Sequence, residues 1–389
     1  MIRSVGLSFL LIVLILTSAL ALAQQQTRGD WPKGSVLDAG LDEMKLQGME
    51  AAIKSGEFKK IGSVVIARHS KLVYEAYFDG DSSTLRDTRS ATKTITDTLV
   101  GIAIREGKLS GVGTRILSVL TEHAAKIQNP DPRKREITVE DFLTMSSPLE
   151  CDDRNDFSRG NEERMYLVED WTQFIFDLPI RGRMRLGDQV DRLPYGRSFS
   201  YCTGGVFTLS EVLEKLTGMR SDRYAQQKLF APLGIANPQW VYSPLNIPQT
   251  GGGLRLTSSD LLKIPQLYLS SGSWKGTSIV DSSWVQASIA PHARIDMDTE
   301  YGYLWWLKSF KVDGKSYPAF YMNGNGGNKV LGIPSLDMAV AITSTNYNTR
   351  GMHEQTEKLL VDLYSHRSNS NPTESVLSLA LIGNPRRAM

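Results

Sequence analysis

Residues 88–107 read TRSATKTITDTLVGIAIREG. Ser90 and Lys93 stand three apart where an apolar-rich run begins, and Gly107 closes that run. Positions three apart share one face of a helix, and a glycine after apolar-periodic residues is a helix stop. The stretch therefore reads as a helix whose entrance carries a serine and a lysine together. A serine hydroxyl becomes a useful nucleophile when a base takes its proton. A lysine is such a base only when neutral, and both burial and the positive end of a helix disfavour its ammonium form. The unpaired N–H groups of the same helix end can hold an oxyanion. The plain alternative is an N-capping serine beside a surface lysine. This is the only Ser-x-x-Lys pair in the chain, and no Gly-x-Ser-x-Gly elbow offers a Ser-His-Asp entry point.

On either side of this helix the texture changes. LDEMKLQGMEAAIKSG (41–56) has helical spacing and ends at Gly56. IGSVVIAR (61–68) and KLVYEAYF (71–78) are strand-like and separated only by His69-Ser70, the pattern of a hairpin. From about 110 to 240 helical patterns alternate with loops. ITVEDFLTM (137–145) is one helix with Thr138 as N-cap, and LSEVLEKLTG (209–218) is another, opened by Ser210 and closed by Gly218. Strand texture returns in GYLWWLKSF, SYPAFYMN, NKVLGIP and DMAVAITS between 302 and 344, with Asp313-Gly314 as a hairpin signal. MHEQTEKLLVDLY (352–364) closes the pattern as an amphipathic helix. The simplest packing joins the two ends of the chain into one antiparallel sheet flanked by helices, with the middle as a mainly helical lobe. This is an α+β fold. The expected boundaries are a sheet lobe at about 40–108 and 295–366 and a helical lobe at about 109–294, together a catalytic domain over 24–366. A tail, 367–389, lies outside this plan.

The 389 residues, 41% hydrophobic and 22% charged, suffice for a large core. A net charge of +2 gives no electrostatic reason to expect nucleic acid. The basic clusters PRKRE (132–136) and RGRMR (181–185) read as solvated loops. Arg3, the apolar run after it and Ala21-Leu22-Ala23 have the layout of a secretory signal peptide, 1–23, cleaved after Ala23. Past it no segment approaches the ~20 apolar residues of a membrane span, so no stable membrane insertion is expected after cleavage. Export permits a disulfide between the two cysteines, Cys151 and Cys202. The five histidines show no HExxH or other metal-ligand spacing, so no metal or cofactor is expected.

The Ser90-Ala91-Thr92-Lys93 stretch resembles the first motif of the serine β-lactamase-related hydrolases, and the likeness covers almost the whole chain after 23. IGSVVIARHSKLVYEAYF, ITVEDFLTMSSPLECDD, FSYCTGGVFTLSEVLEKLTG, LFAPLGI and GGGLRLTSSDLLKI resemble successive landmarks of that superfamily. GNEERMY and the nearby DW (160–171), with YCTGG and YGYLWW, are most similar to its 6-aminohexanoate-dimer hydrolase and esterase branch. The resemblance implies a β-lactamase/transpeptidase-like fold and an acyl-enzyme formed at Ser90. It implies proton transfer by Lys93 and Tyr201, where the Tyr-x-Asn motif reads Tyr201-Cys202-Thr203. It implies a third motif at Asn325-Gly326-Gly327-Asn328, with Asn325, Gly326 and Gly327 lining the substrate and the N–H groups of Ser90 and Asn328 as the oxyanion hole. Asn325 stands where penicillin-recognising relatives carry a cation for the substrate carboxylate, which ranks linear esters and amides above β-lactams unless an arginine nearby restores the charge. The implied function is an exported, periplasmic or secreted hydrolase of small-molecule esters or amides. A D,D-carboxypeptidase or β-lactamase and a non-catalytic binding protein on the same scaffold remain alternatives. The sequence does not fix the natural substrate or the oligomeric state.

Overall fold

IGSVVIAR forms β1 (Ile61–Arg68) and the next run forms β2 (Lys71–Tyr77). His69 and Ser70 between them both take left-handed φ, 52° and 58°, as a two-residue turn between right-twisted strands requires. In the computed structural model, which describes residues 31–182 and 194–364, this hairpin is one edge of an eight-stranded antiparallel sheet. The other strands come from the far end of the chain: β3 (Ala293–Arg294), β4 (Thr299–Tyr301), β5 (Trp306–Val312), β6 (Lys315–Gly324), β7 (Asn328–Ile333) and β8 (Met338–Ser344). Their order is β2-β1-β8-β7-β6-β5-β4-β3. The two ends of the chain meet where β1 pairs β8, with Ile66 opposite Val340. Asp313 and Gly314, both at positive φ, turn β5 into β6. The expected signal peptide, the tail 367–389 and most of the RGRMR cluster lie outside the described residues. Among the described residues no helix is long and apolar enough to cross a membrane.

The longer helices are α1 (Glu43–Lys54), α2 (Lys93–Arg105), α3 (Thr203–Thr217), α4 (Ser258–Leu269) and α5 (Met352–Tyr364). Helices cover both faces of the sheet, so its central strands are buried on both sides rather than alternating between core and solvent. Val64, Ile66, Leu331, Val340 and Ile342 join Leu46 and Met49 of α1 and Leu359 and Leu360 of α5 in one core. The intervening Val65, Ala67, Val330, Ala339 and Ala341 face the other way, into a larger core with α2, α3 and α4. This is the period-two geometry of a strand. Each fully buried Val, Leu or Ile contributes about 1.5–3 kcal/mol, which is why neither face can be left open. Helix α4 comes from the middle of the chain yet packs on β8, β7 and β1.

One boundary differs from the sequence reading. The helix placed at 209–218 begins at Thr203, capped by the Cys202 sulfur 3.4 Å from the Gly205 N–H, and Ser210 lies buried inside it, 2.5 Å from the Ser221 hydroxyl. Thr-Gly-Gly is a poor helix former, so propensity hides this first turn. Packing requires it: a Cβ at Gly204 would sit 2.2 Å from Ile175 Cδ1, and one at Gly205 2.7 Å from Phe142 Cδ1. The Thr138 helix forms as expected (Val139–Leu143), with Asp141 completing a capping box.

Candidate active site

Ser90 lies in a single 3-10 turn, Arg89–Thr92, that feeds directly into α2, and Lys93 is the first residue of α2. Lys93 is 1% exposed although it is a lysine. Its Nζ has three polar neighbours: Ser90 Oγ at 3.1 Å, Thr203 Oγ1 at 2.9 Å and the Gly251 carbonyl at 2.5 Å. All three are neutral. A carbonyl can only accept, whereas a hydroxyl can donate or accept. The amine can therefore donate to Gly251 and Thr203 and turn its lone pair to the Ser90 hydroxyl, or donate to all three as an ammonium. The site holds lysine in either protonation state without moving a heavy atom. Thr203, where the family motif has asparagine, keeps a polar oxygen on the lysine. Gly251 lacks a side chain for a steric reason, since a Cβ there would meet Thr203 Cγ2 at 2.8 Å.

Tyr201 presents its ring to the same nitrogen, 4.9 Å from Lys93 Nζ to the ring centroid. The segment that carries it is tied to residues 151–153 at four points. Cys151 and Cys202 are joined by a disulfide. Ser200 Oγ donates to the Cys151 carbonyl at 2.6 Å. The Asp153 N–H donates to the Tyr201 carbonyl at 2.8 Å. Asp153 Oδ2 accepts the Thr203 N–H at 2.6 Å. Burial holds the Asp153 carboxyl well above the ordinary range and the Glu162 charge adds to this, while Lys93 and the Thr203 N–H pull the other way. Asp153 escapes a reading of the sequence because nothing in CysAspAsp marks the second aspartate, and its partner Thr203 lies 50 positions away.

The sheet meets the Ser90 turn at the end of β6. Gly324 packs so closely that a Cβ there would sit 1.9 Å from the Thr88 carbonyl oxygen and 3.3 Å from the Ala91 nitrogen. Asn325, Gly326 and Gly327 form the turn from β6 to β7, with Gly326 and Gly327 at φ 95° and 86°. This turn packs against the loop leading into α5: the Asn325 side chain bonds Asn348, and a Cβ at Gly327 would meet the Met352 carbonyl at 2.6 Å. Asn328 lies opposite Gly324 in the β6–β7 ladder and fastens the turn, its Nδ2 on the Asn325 carbonyl and its Oδ1 on the Ser344 N–H. Gly324 thus packs directly on the Ser90 turn, a contact which the sequence reading passed over.

Of the aromatics in YGYLWW, Tyr301, Tyr303 and Trp305 are buried, and Trp305 Nε1 donates to the buried Asp97 of α2. Trp306 faces the site, its ring 5.9 Å from that of Tyr201. Elsewhere, His123, Asp170 and Glu211 bring potential metal-ligand atoms within 4.8 Å of one another. Both imidazole nitrogens are already hydrogen-bonded, to Gln173 at 3.1 Å and Glu211 at 3.0 Å. Burial opposes the imidazolium, but the Glu211 and Asp170 carboxylates raise its pKa overall. This is a polar tie between helices.

The beta-lactamase family profile matches residues 57–363, and the chain belongs to that family of hydrolases. A curated relative, the 6-aminohexanoate-dimer hydrolase of Paenarthrobacter ureafaciens, is 23% identical over 284 residues, spanning 70% of this chain and 65% of the relative's length. Among solved structures, EstCE1, a hydrolase with promiscuous acyltransferase activity, superposes with a TM-score of 0.62 at 14% identity, covering 82% of this chain and 98% of its own. A penicillin-binding protein from Bacillus halodurans gives 0.60 at 16% identity, covering 80% and 99%. These structures share the fold.

Proposed function

We propose that this protein hydrolyses esters or amides of small molecules through an acyl-enzyme at Ser90. The observation that carries the reading is Lys93 Nζ, buried and 3.1 Å from Ser90 Oγ, with two other acceptors fixing its orientation. Ser90 Oγ attacks the carbonyl carbon as its proton passes to neutral Lys93. Tyr201, beside the ammonium so formed, passes its proton to the leaving oxygen or nitrogen as the scissile bond breaks and takes the proton of Lys93 in its place. Water then attacks the acyl carbon, gives its proton back through the same pair, and Ser90 leaves with its hydrogen restored. The developing oxyanion is held by the Ser90 N–H at the helix entrance and by a backbone N–H from the end of β6. The close contact at Gly324 favours the next N–H, that of Asn325, over that of Asn328 as this second donor.

The names of the relatives support an amidase or esterase over a binding protein. The disulfide supports a working place outside a reducing compartment, consistent with the signal-like start of the chain. The test is covalent labelling by a fluorophosphonate, read by intact mass, on wild type and Ser90→Ala, followed by a panel of esters, linear amides and a chromogenic cephalosporin. Labelling at Ser90 with turnover of esters or amides supports the reading. Labelling that persists in Ser90→Ala overturns it, and a cephalosporin preferred tenfold over every ester moves the assignment to a β-lactamase.

A further inference from the structure

Of the cations near the site other than Lys93, Arg89, Arg255, Lys308 and Lys329 lie beside carboxylates. Arg89 is 3.5 Å from Asp87, which also faces Arg255. Lys329 and Lys308 share Glu357, at 3.1 and 2.7 Å. Arg154 differs. It is exposed, and among the described residues no carboxylate oxygen lies within ion-pair distance of its side chain. Its guanidinium instead lies over three aromatic rings, 5.2 Å from the centroid of Trp306, 5.6 Å from Phe199 and 5.8 Å from Tyr201. The root of the side chain is fixed. Its own N–H donates to Asp152 Oδ1 at 3.0 Å, and it directly follows Asp153, which holds both Tyr201 and Thr203.

We propose that Arg154 is a specificity residue that binds a carboxylate on the departing part of the substrate. This rests on the Ser90 acyl-enzyme reading. Tyr201 delivers its proton to the leaving group, and Arg154 lies over the Tyr201 ring, so a guanidinium stands on the leaving-group side of the scissile bond. The guanidinium keeps to the three rings while no carboxylate takes its N–H groups, so these can take a substrate carboxylate in two-point fashion. On the sheet side Glu357 is already shared by Lys308 and Lys329. The charge missing at Asn325 on the strand is thus supplied from the opposite, helical side of the cleft. The preferred substrates are esters or amides whose alcohol or amine portion bears an acid.

The experiment compares kcat/KM for meta-carboxyphenyl butyrate and its uncharged methyl ester in wild type, Arg154→Met and Arg154→Lys. The acid-to-methyl-ester ratio should fall about tenfold in Arg154→Met, the difference between a charge-assisted and a neutral hydrogen bond. It should stay within about threefold of wild type in Arg154→Lys, which keeps the charge. An unchanged ratio in Arg154→Met overturns the proposal while leaving Ser90 untouched. If wild type is labelled by the fluorophosphonate but hydrolyses neither ester, protection from labelling by benzoate decides: protection lost in Arg154→Met supports the proposal, and protection equal in both proteins overturns it. Failure of wild type to label at Ser90 overturns the acyl-enzyme reading and this proposal together.

Discussion

The Gly251 carbonyl accepts a 2.5 Å hydrogen bond from Lys93, a residue 158 positions earlier in the chain. That bond, with the one to Thr203, decides where the lysine lone pair can point. Replacing Thr203 by Val keeps the shape but removes one of the two fixed acceptors. A buried ammonium left short of a partner loses roughly 1.5–3 kcal/mol. Thr203→Val should therefore lower kcat by about tenfold or more and shift the pH profile of acylation, while Thr203→Ser retains most of the rate. Equal loss in both variants would assign Thr203 to packing alone.

Lys93→Ala should cut acylation by at least ~100-fold, the usual scale for a general base. Ser90→Ala should abolish both turnover and labelling. Single-turnover kinetics with a fluorophosphonate reports the first directly, since no deacylation follows.

Tyr201→Phe keeps the ring under Arg154 and Trp306 and removes only the hydroxyl. A fall of about 100-fold in kcat/KM is expected if the phenol carries a proton. The deficit should be larger for amides than for activated aryl esters, because an amine must be protonated to leave. Wild-type rates on both would return Tyr201 to a purely structural role.

Removing the Cys151–Cys202 bond by a Cys151→Ala, Cys202→Ala double substitution opens a loop of 51 residues. The chain-entropy account gives about 4 kcal/mol for a loop of this size. Chemical denaturation should show a clear loss of stability. Turnover should fall more than fluorophosphonate labelling does, because the bond anchors the segment bearing Tyr201 rather than Ser90.

Asp97 offers a pH test away from the chemistry. It is fully buried on α2, and burial pushes its carboxyl up to about 8, against donors from Tyr268, Ser288 and Trp305. A protonated Asp97 can donate to Tyr268 Oη while that hydroxyl turns to Thr98 Oγ1, 3.1 Å away. The folded-state value lies above the unfolded one of about 3.9. The group's stabilising contribution is then complete below pH ~4 and is lost as pH rises towards 8. Unfolding free energy measured from pH 5 to 8 should fall less steeply in Asp97→Asn than in wild type, and identical slopes would show that Asp97 is ionised in the native state.

How much of this was legible in the sequence depends on distance along the chain. The strands and the closing helix were readable because apolar period and turn residues are local: His69-Ser70 and Asp313-Gly314 mark their hairpins where they stand. Ser90 and Lys93 were readable for the same reason, being neighbours on one turn. Gly251, Asp153 and Arg154 were not, because each matters only through a partner far off in sequence. The glycines of Thr-Gly-Gly misled for a related reason. Their local preference is against a helix, and Ile175 and Phe142, which demand them, lie elsewhere.

The contact between Gly324 and Thr88 means that the proposed catalytic centre is a seam between helix and sheet rather than a pocket inside one of them. In the proposed mechanism the nucleophile rides on a helix entrance and its electrostatic support on a strand end, and only the absence of a methyl group lets them touch. A small sliding of helix against sheet would spoil the alignment while both bodies stay folded. On warming, activity should therefore fade before the cooperative loss of structure, and compounds that bridge the seam should raise the temperature of inactivation more than that of melting.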